Sequence, residues 1–291
     1  MNKITEKQND SELVKLLKAS SVAYSKAKKW ETKFTYSLIF LAIAYPISYV
    51  LIKDETIKLI LFGCSFFLTI LLQVITGKLK GNTSKGAIIK EEFDTALYCL
   101  PWKSTLSKPD HAEISKLSLE YEGEAIKNWY SQCLLPSIPH NIGVAILQHS
   151  NTSWDNDLRK HFRDWLIWIL VIYSVLLFSF FVVMKVEGLT LFSICFSILS
   201  FYTHFISLIR GHNSAIEKRE AISKHLDIII RIKKEVSNEE LRDIQDEIFS
   251  TRQEPAKVPN FFFRMLYKKM NAMDEDYINS INTLYNSKPE V

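Results

Sequence analysis

The chain is poor in the residues that make turns. Glycine and proline number only eight each among 291 residues, whereas flexible linkers and turn-rich all-β folds need more of them. Cysteine is also scarce, and the four residues of this type stand far apart: Cys64, Cys99, Cys133 and Cys195. Because they form no Cys-x-x-Cys pair and no Cys/His cluster at zinc spacing, we expect no metal ligand, nucleophile or disulfide among them. A helical protein is indicated.

Motifs that carry catalysis are missing as well. The sequence contains no Gly-x-Gly-x-x-Gly, no phosphate-binding loop ending in Gly-Lys-Ser/Thr and no His-Glu-x-x-His. Three neighbouring carboxylates, Glu91, Glu92 and Asp94, are explained by a charged helical face. We therefore expect no catalytic residue, no cofactor and no metal. A membrane-bound enzyme acting on nucleotides or lipids ranks last among the functions considered.

Charged residues are absent from four long apolar runs. The runs are residues 34–52, 59–77, 165–184 and 188–209. A helix that rises about 1.5 Å per residue needs about 20 apolar residues to cross about 30 Å of hydrocarbon. Each run therefore predicts a transmembrane helix. The short links between the first two runs and between the last two predict two antiparallel hairpins. No signal peptide is expected, since the first run begins only near Phe34 and lacks a small-residue cleavage pattern.

Basic residues are distributed unequally about these spans. Only Lys53, Lys58 and Lys185 fall in the two hairpin turns. Because positive charge is retained on the cytoplasmic side, both termini and the long middle segment are predicted to be cytoplasmic, with both hairpin tips outside. The fold class is then an all-α polytopic membrane protein, with four transmembrane helices in two hairpins and a helical cytoplasmic domain built from three segments. The predicted units are residues 1–33, 34–77 (first hairpin), 78–164, 165–209 (second hairpin) and 210–291.

A few polar residues interrupt the spans. Gln73 and His204 are candidate pore or gate residues. His204 lies close to Arg210 at the cytoplasmic end, so a hydrated interfacial imidazole is the alternative. No span carries an acidic residue or a repeated basic pattern, which disfavours a proton-coupled transporter or a voltage sensor.

A basic cluster precedes the first span. It consists of Lys26, Lys28, Lys29 and Lys33. Beside a membrane, such lysines bind anionic lipid headgroups at about 1 kcal/mol each. A nucleic-acid surface is disfavoured, because no interleaved aromatic residues accompany the charge.

An incomplete heptad pattern follows the fourth span. Its apolar members are Ala215, Ile222, Leu226, Ile229 and Val236, while Arg219 and Lys233 occupy the remaining seam positions. Two interpretations stay open. The seam packs against the cytoplasmic helices of its own chain, or it joins several chains around an axis.

Five segments together resemble one known family. They read "EKQNDSELVKLLKASSVAYSKAKKW", "KEEFDTALYCLPW", "KNWY", "HSNTSWDNDLRKHF" and "VPNFFFRMLYKKMN". In content, order and placement around two pairs of spans, the chain resembles the SMODS-associating four-transmembrane effector family over essentially its whole length. It departs from the family pattern at Lys103 and His149, where asparagine and arginine are common.

The resemblance implies a role in cyclic-oligonucleotide-based antiphage signalling (CBASS). In that scheme, a cGAS-like nucleotidyltransferase makes a cyclic di- or trinucleotide, and the effector then damages the bacterial inner membrane. Four helices hardly line a wide pore alone, so a homo-oligomer is expected. The alternative function is a membrane-anchored scaffold that recruits a cytoplasmic protein partner, which the incomplete heptad favours.

Residues of suitable chemistry for such a ligand lie in the middle segment. Aromatic planes stack on bases and basic groups meet phosphates, while amides and carboxylates contact base edges. The candidate contacts are Trp102, Asn151, Trp154, Asp155, Arg159 and Lys160. The alternative is structural: the tryptophans pack in the core, and Asp155 with Arg159 forms an i,i+4 helix pair.

Overall fold

The computed structural model describes residues 2–232, 235–254 and 256–286, without the side chains at 65, 68, 69 and 72–79. Throughout these residues the ordered elements are helices and no strand occurs. The helices are α1 (Ile4–Lys7), α2 (Ser11–Leu51), α3 (Glu55–Tyr98), α4 (His111–Leu119), α5 (His140–Val183), α6 (Gly188–Ser197), α7 (Leu199–Ile232), α8 (Asn238–Arg252) and α9 (Asn260–Asn286). The all-α prediction is confirmed.

Local chemistry explains where several helices begin and end. The Asp54 carboxylate accepts hydrogen bonds from the backbone N–H groups of Thr56 and Ile57 and so caps α3. At its other end, α3 stops at Tyr98, where Cys99 takes a left-handed conformation (φ 59°). Pro101 follows at once, and a proline cannot continue a helix. These signals limit α3 to one long, uninterrupted rod.

Three helices are about twice as long as the hydrocarbon layer of a membrane is thick. At about 1.5 Å per residue, helices of 41 residues (α2) and 44 residues (α3 and α5) extend over roughly 60 Å. The predicted limits at residues 33, 77 and 164 therefore lie inside α2, α3 and α5. One part of each rod is rich in charged residues, and the other part is an uncharged apolar run.

Two hairpins bring the predicted spans together. Residues 52–54 join α2 to α3, and residues 184–187 join α5 to α6. The second turn places Lys185 and Gly188 at positive φ (47° and 56°), a conformation that suits the glycine. Both turns lie at the same end of the molecule, because Tyr49 of α2 packs in one cluster with Phe181 of α5.

The apolar halves have the composition and exposure of membrane segments. Among the described residues, three stretches are long and apolar enough to cross a membrane: Ser11–Leu51, His140–Val183 and Gly188–Ile232. The remaining predicted span, residues 59–77, belongs to α3. Side chains such as Phe40, Val175 and Phe178 are more than half exposed. Apolar exposure on this scale is stable in lipid and not in water.

The fourth predicted span consists of two successive helices. Helix α6 ends at Ser197 and α7 begins at Leu199. Backbone hydrogen bonds continue across the residue between them, from Ile198 N to Ile194 O (3.1 Å) and from Tyr202 N to Ile198 O (3.3 Å). A small crevice lined by Leu38, Ala42 and Tyr45 of α2 lies beside Ile198.

The heptad seam is buried within the chain itself. Ala215, Ile222, Leu226 and Ile229 of α7 are all at most 3% exposed, and the last three belong to the largest apolar core. Val236 joins the same core, whereas Lys233 lies outside the described residues. Packing against the chain's own helices is thus the interpretation that the structure supports. Arg219 is also buried, so this charged seam position needs a partner inside the protein.

We predict that Leu226→Ala lowers the free energy of unfolding by about 2–5 kcal/mol, because Leu226 is 0% exposed and its removal leaves a cavity. Ile228→Ala on the same helix is the control and should cost little, since Ile228 is 55% exposed. Denaturant titration of the detergent-solubilised protein at several concentrations measures both. Equal losses, or a loss that depends on protein concentration, would contradict internal packing of the seam.

Candidate functional site

A partly buried carboxylate joins two helices near one end of the predicted spans. Arg159 Nε on α5 donates a hydrogen bond of 2.7 Å to Asp155 Oδ2, one helical turn earlier. Arg219 Nη1, from α7, lies 2.8 Å from the same oxygen. Burial alone would raise the pKa of Asp155, but the charges of Arg159 and Arg219 outweigh it and hold this pKa well below its usual range. Asp155 is therefore an ionised bridge between α5 and α7.

Arg159 extends this bridge to a third segment. Its Nη1 donates to the backbone carbonyl of Ala256 at 2.8 Å and lies 3.4 Å from His212 Nδ1. His212 is fully buried, and burial together with the charge of Arg159 lowers its pKa to about 3. The imidazole is consequently neutral at physiological pH and adds no charge. One guanidinium thus ties α5 to the segment between α8 and α9.

Further charged groups surround the bridge: Lys28 and Glu31 belong to α2, and Lys257 lies between α8 and α9. Lys257 is buried, and its Nζ donates to the carbonyl of Arg252 at 2.9 Å. Burial, followed by the charge of Arg159, lowers the pKa of Lys257 well below its usual range. Burial also raises the pKa of Glu31 to about 7 and lowers that of Lys28. We refer to Lys28, Glu31, Asp155, Arg159, Arg219 and Lys257 as the Asp155 cluster.

A second buried network lies farther from the predicted spans. Arg252 Nη2 of α8 is 2.5 Å from Asp94 Oδ2, and Arg242 Nη2 is 2.6 Å from Glu91 Oε1. The Tyr130 hydroxyl donates to Asp94 Oδ1 at 2.9 Å. Two carboxylates of the predicted charged face, Glu91 and Asp94, are therefore turned inward, because α8 supplies arginines that pair with them, whereas Glu92 is half-buried. We call this set, with Lys90 and Asp246, the Asp94 cluster.

The predicted ligand contacts are distributed over separate places. Asp155 and Arg159 meet in the Asp155 cluster. Trp154 faces α9, where its Nε1 donates to Asn271 Oδ1 at 3.0 Å and its ring lies 5.2 Å from that of Phe263. Asn151 Nδ2 donates to the hydroxyl of Tyr130 at 3.0 Å.

The other two candidates lie away from these. Trp102 Nε1 donates to the carbonyl of Leu106 at 2.6 Å. Lys160 Nζ donates to Glu220 Oε1 at 2.6 Å. In this arrangement both side chains are engaged by their own chain.

Sequence reasoning missed three members of the Asp155 cluster. Arg219 was assigned only to an interruption of the heptad seam, and neither Glu31 nor Lys257 was singled out. A charged residue at an otherwise apolar seam position was nevertheless a usable signal, because an arginine there must find a buried partner. Nothing in the local sequence marks Lys257.

The predicted membrane-facing lysines divide into two pairs. Lys29 and Lys33 are exposed, with Lys33 Nζ 6.0 Å from the centroid of the Trp30 ring. Lys26 Nζ instead pairs with Glu120 Oε2 at 2.5 Å, and Lys28 Nζ donates to Asn260 Oδ1 at 3.1 Å.

The two gate candidates differ in what the structure describes. His204 Nε2 lies 2.9 Å from Thr35 Oγ1 and so takes part in a contact between α2 and α7. The side chain of Gln73 lies outside the described residues.

We predict that Asp155→Asn destabilises the protein by about 3–5 kcal/mol, because two buried arginines lose the charge that compensates them. Asp157→Asn is the matched control on the same helix, since the carboxylate of Asp157 is partly exposed and lies 3.9 Å from Lys160 Nζ. It should cost less than about 1 kcal/mol. Denaturant unfolding in detergent measures the difference, and similar losses in the two variants would refute the structural role of Asp155.

Comparison with known proteins connects this architecture to one family. A model described as the SMODS-associating 4TM effector domain matches residues 2–280. A protein of Bacillus cereus (strain VD146), named "Probable CBASS effector molecule", is 31% identical over 205 residues. That alignment covers 62% of this chain and 64% of the relative, so the chain matches less than two thirds of the relative's length. No solved structure matches.

The family match covers the helical core, both hairpins and both charged clusters. It agrees with the resemblance carried by the five sequence segments, and its four-transmembrane description agrees with two hairpins of long apolar helices. The chain belongs to the SMODS-associating 4TM effector family.

Proposed function

We propose that the chain is an antiphage membrane effector that responds to a cyclic oligonucleotide through its cytoplasmic part and then permeabilises the bacterial inner membrane. Family membership and the name of the Bacillus cereus relative support the effector role. In this proposal, a cGAS-like nucleotidyltransferase supplies a cyclic di- or trinucleotide, and several copies of the chain assemble to act on the bilayer.

One structural observation carries the proposal: the charged core and the spans share the same helices. Asp155 and Arg159 lie on α5, which continues without a break into the third predicted span. Phe162, one turn beyond Arg159, has its ring 5.2 Å from that of His212 and 5.7 Å from that of Trp165. A shift at the charged cluster is therefore passed directly to the first apolar turn of the span.

A ligand changes such a system only by binding one arrangement better than the other. Shifting the population from mostly closed to mostly open requires about 5.5 kcal/mol of differential affinity, which several charge-assisted hydrogen bonds to phosphate can supply.

The proposed ligand contacts follow the same logic. Trp154, Asp155 and Arg159 are consecutive or one turn apart on α5, next to the cluster that joins α5 to α7. Trp102, Asn151 and Lys160 remain proposed contacts, and the ligand would replace their present bonds to Leu106, Tyr130 and Glu220.

The membrane part is proposed to work as an oligomer. Only 6% of the most apolar window of α5 is buried within the chain, and Val171, Leu176 and Val183 are exposed on it. This surface is available to lipid in one state and to other copies in another. His204 and Gln73 remain proposed gate residues, and Lys29 and Lys33 remain proposed contacts of anionic headgroups.

An alternative is a scaffold that recruits a cytoplasmic protein. The observation that favours it is the exposure of Met265, Tyr267 and Met273 on α9, outside the predicted spans. In that case, cross-linking in cells captures a protein other than this chain, and the membrane potential stays intact when the signal is present.

Orientation is tested by labelling. We expect the cysteine introduced by Lys185→Cys to react in intact spheroplasts with a membrane-impermeant maleimide, because the hairpin tips are proposed to be external. Lys29→Cys is the cytoplasmic control and should react only after lysis. Labelling of Lys29→Cys in intact spheroplasts, with Lys185→Cys protected, would reverse the proposed topology.

Function is tested by leakage from liposomes that contain the purified protein. A cyclic di- or trinucleotide of the right identity should release an entrapped dye, while its linear form should not, because the ligand shifts the packing equilibrium of the spans. If no cyclic di- or trinucleotide releases dye, the permeabilising role is wrong and the scaffold is favoured.

A further inference from the structure

Basic groups outnumber acidic groups in the Asp155 cluster. Lys28, Arg159, Arg219 and Lys257 share two carboxylates, Asp155 and Glu31, among the residues described. Burial raises the pKa of Glu31 to about 7, so its negative charge is only partial at neutral pH. Burial also lowers the pKa values of Lys257 and Lys28, so the excess of positive charge rests on Arg159 and Arg219, two buried guanidinium groups that share the single ionised carboxylate of Asp155. Such an excess is costly unless an anion compensates it.

The Asp94 cluster provides an internal comparison. There, the buried cations Lys90, Arg242 and Arg252 meet three carboxylates. The carboxylates are Glu91, Asp94 and Asp246. Each of these three cations therefore lies within ion-pair distance of a carboxylate, and the half-exposed Lys103 adds a further cation 2.9 Å from Asp246. The two lysines of the Asp155 cluster instead donate to neutral oxygens, Lys28 to the side chain of Asn260 and Lys257 to the carbonyl of Arg252.

Two buried donors point to the same conclusion. Arg219 is 3% exposed, and its Nε has no hydrogen-bond partner in the described part of the chain. His212 Nε2 is likewise buried without a partner there. Buried N–H groups of this kind almost always find an acceptor. Lys90 Nζ, Arg242 Nε and Arg252 Nη1 of the Asp94 cluster also lack a hydrogen-bond partner among the described residues, so this feature alone does not distinguish the two clusters. The donors of Arg219 and His212 differ in their surroundings: they lie beside Asp155, whose side chain is 27% exposed, whereas Asp94 is fully buried.

The cluster is reachable from water. The Asp155 side chain is 27% exposed, whereas the two arginines behind it are almost fully buried. Lys28 is half-buried and lies with its Nζ 5.8 Å from the ring of Phe263, which also contacts Trp154. The approach is thus lined by an ammonium group and two aromatic rings, with the guanidinium groups at its inner end.

We propose that Lys28, Arg159, Arg219 and Lys257 form a binding site for a phosphodiester group. Guanidinium forks match phosphate oxygens, and such bonds are stronger than neutral ones. The phosphate takes up the free Arg219 Nε and the arginine bonds now made to Asp155. Because Asp155 is the bridge between α5 and α7, its release separates the two helices at the point where the spans begin.

The phosphodiester has two possible sources. A cyclic oligonucleotide is the source if the proposed function is correct, and this part of the inference rests on it. The headgroup of an anionic phospholipid offers the same chemistry from the membrane side. The experiment below distinguishes them.

The test uses the purified full-length chain in a neutral detergent. The probes are inorganic pyrophosphate, a panel of cyclic di- and trinucleotides, and short-chain phosphatidylglycerol with phosphatidylcholine as its zwitterionic control. Pyrophosphate, and one of the other two classes, should raise the unfolding temperature of the native chain beyond the effect of sodium chloride at equal ionic strength.

Arg219→Gln should weaken this binding about tenfold or more, because a charged donor is lost. Lys218→Gln is the matched control: it removes the same charge from the neighbouring position, where Lys218 pairs at the surface with Glu254. Lys28→Gln is the second test variant. Because Lys28 is only half-buried, this variant is expected to fold, and weaker binding would then not be explained by loss of the native structure. It should also bind more weakly than Lys218→Gln.

Each outcome decides a separate point. No response of the native chain to any probe, or unchanged binding in Arg219→Gln and Lys28→Gln, overturns the site. A response to phosphatidylglycerol but to no cyclic nucleotide supports the site, with lipid as the source, and contradicts the proposed signal. Liposome leakage that a nucleotide triggers equally in the native chain and in Arg219→Gln refutes the site and leaves the proposed function standing.

Discussion

The shared carboxylate of Asp155 is the interaction on which the arrangement of the molecule depends. It holds two buried arginines, one from α5 and one from α7, and Arg159 in turn binds the segment before α9 through the carbonyl of Ala256. Burying an isolated guanidinium raises the free energy of the folded state by roughly several kcal/mol, unless an opposite charge and hydrogen bonds compensate it. The carboxylate therefore stabilises the contact of the three elements beside the apolar packing of α5, α7 and α9.

This interaction matters because of where it lies. Helices α2, α5 and α7 pass through two solvents, and the Asp155 cluster lies close to where α5 and α7 enter the apolar region. Beyond it, Phe162, Phe205 and Phe262 begin an aromatic and aliphatic cluster that continues into the spans. A polar contact made in water is thus coupled, within about two helical turns, to packing in lipid. The Asp94 cluster does not offer this coupling, because it lies between α3 and α8 outside the predicted spans.

Particular residues show how far sequence reasoning reached. The spans, the two hairpins and the end of α3 before Pro101 follow from composition and local signals, which act over a few residues. The direction of the Glu91 and Asp94 side chains was not predictable in this way. Arg242, which pairs with Glu91, is 151 residues away along the chain. Lys28 illustrates the same limit: its sequence context indicates headgroups, yet its nearest described partner is Asn260 of α9.

The sequence by itself determined that the chain is helical, that it enters lipid in paired runs and which segments remain in water. These properties are sums over single residues, since each apolar side chain contributes its transfer energy whatever its neighbours are. Only the tertiary structure decided which charges are buried together and which donors lack an acceptor. Charge compensation depends on distances between residues far apart in sequence, and those distances exist only once α2, α5, α7 and the segment before α9 have packed.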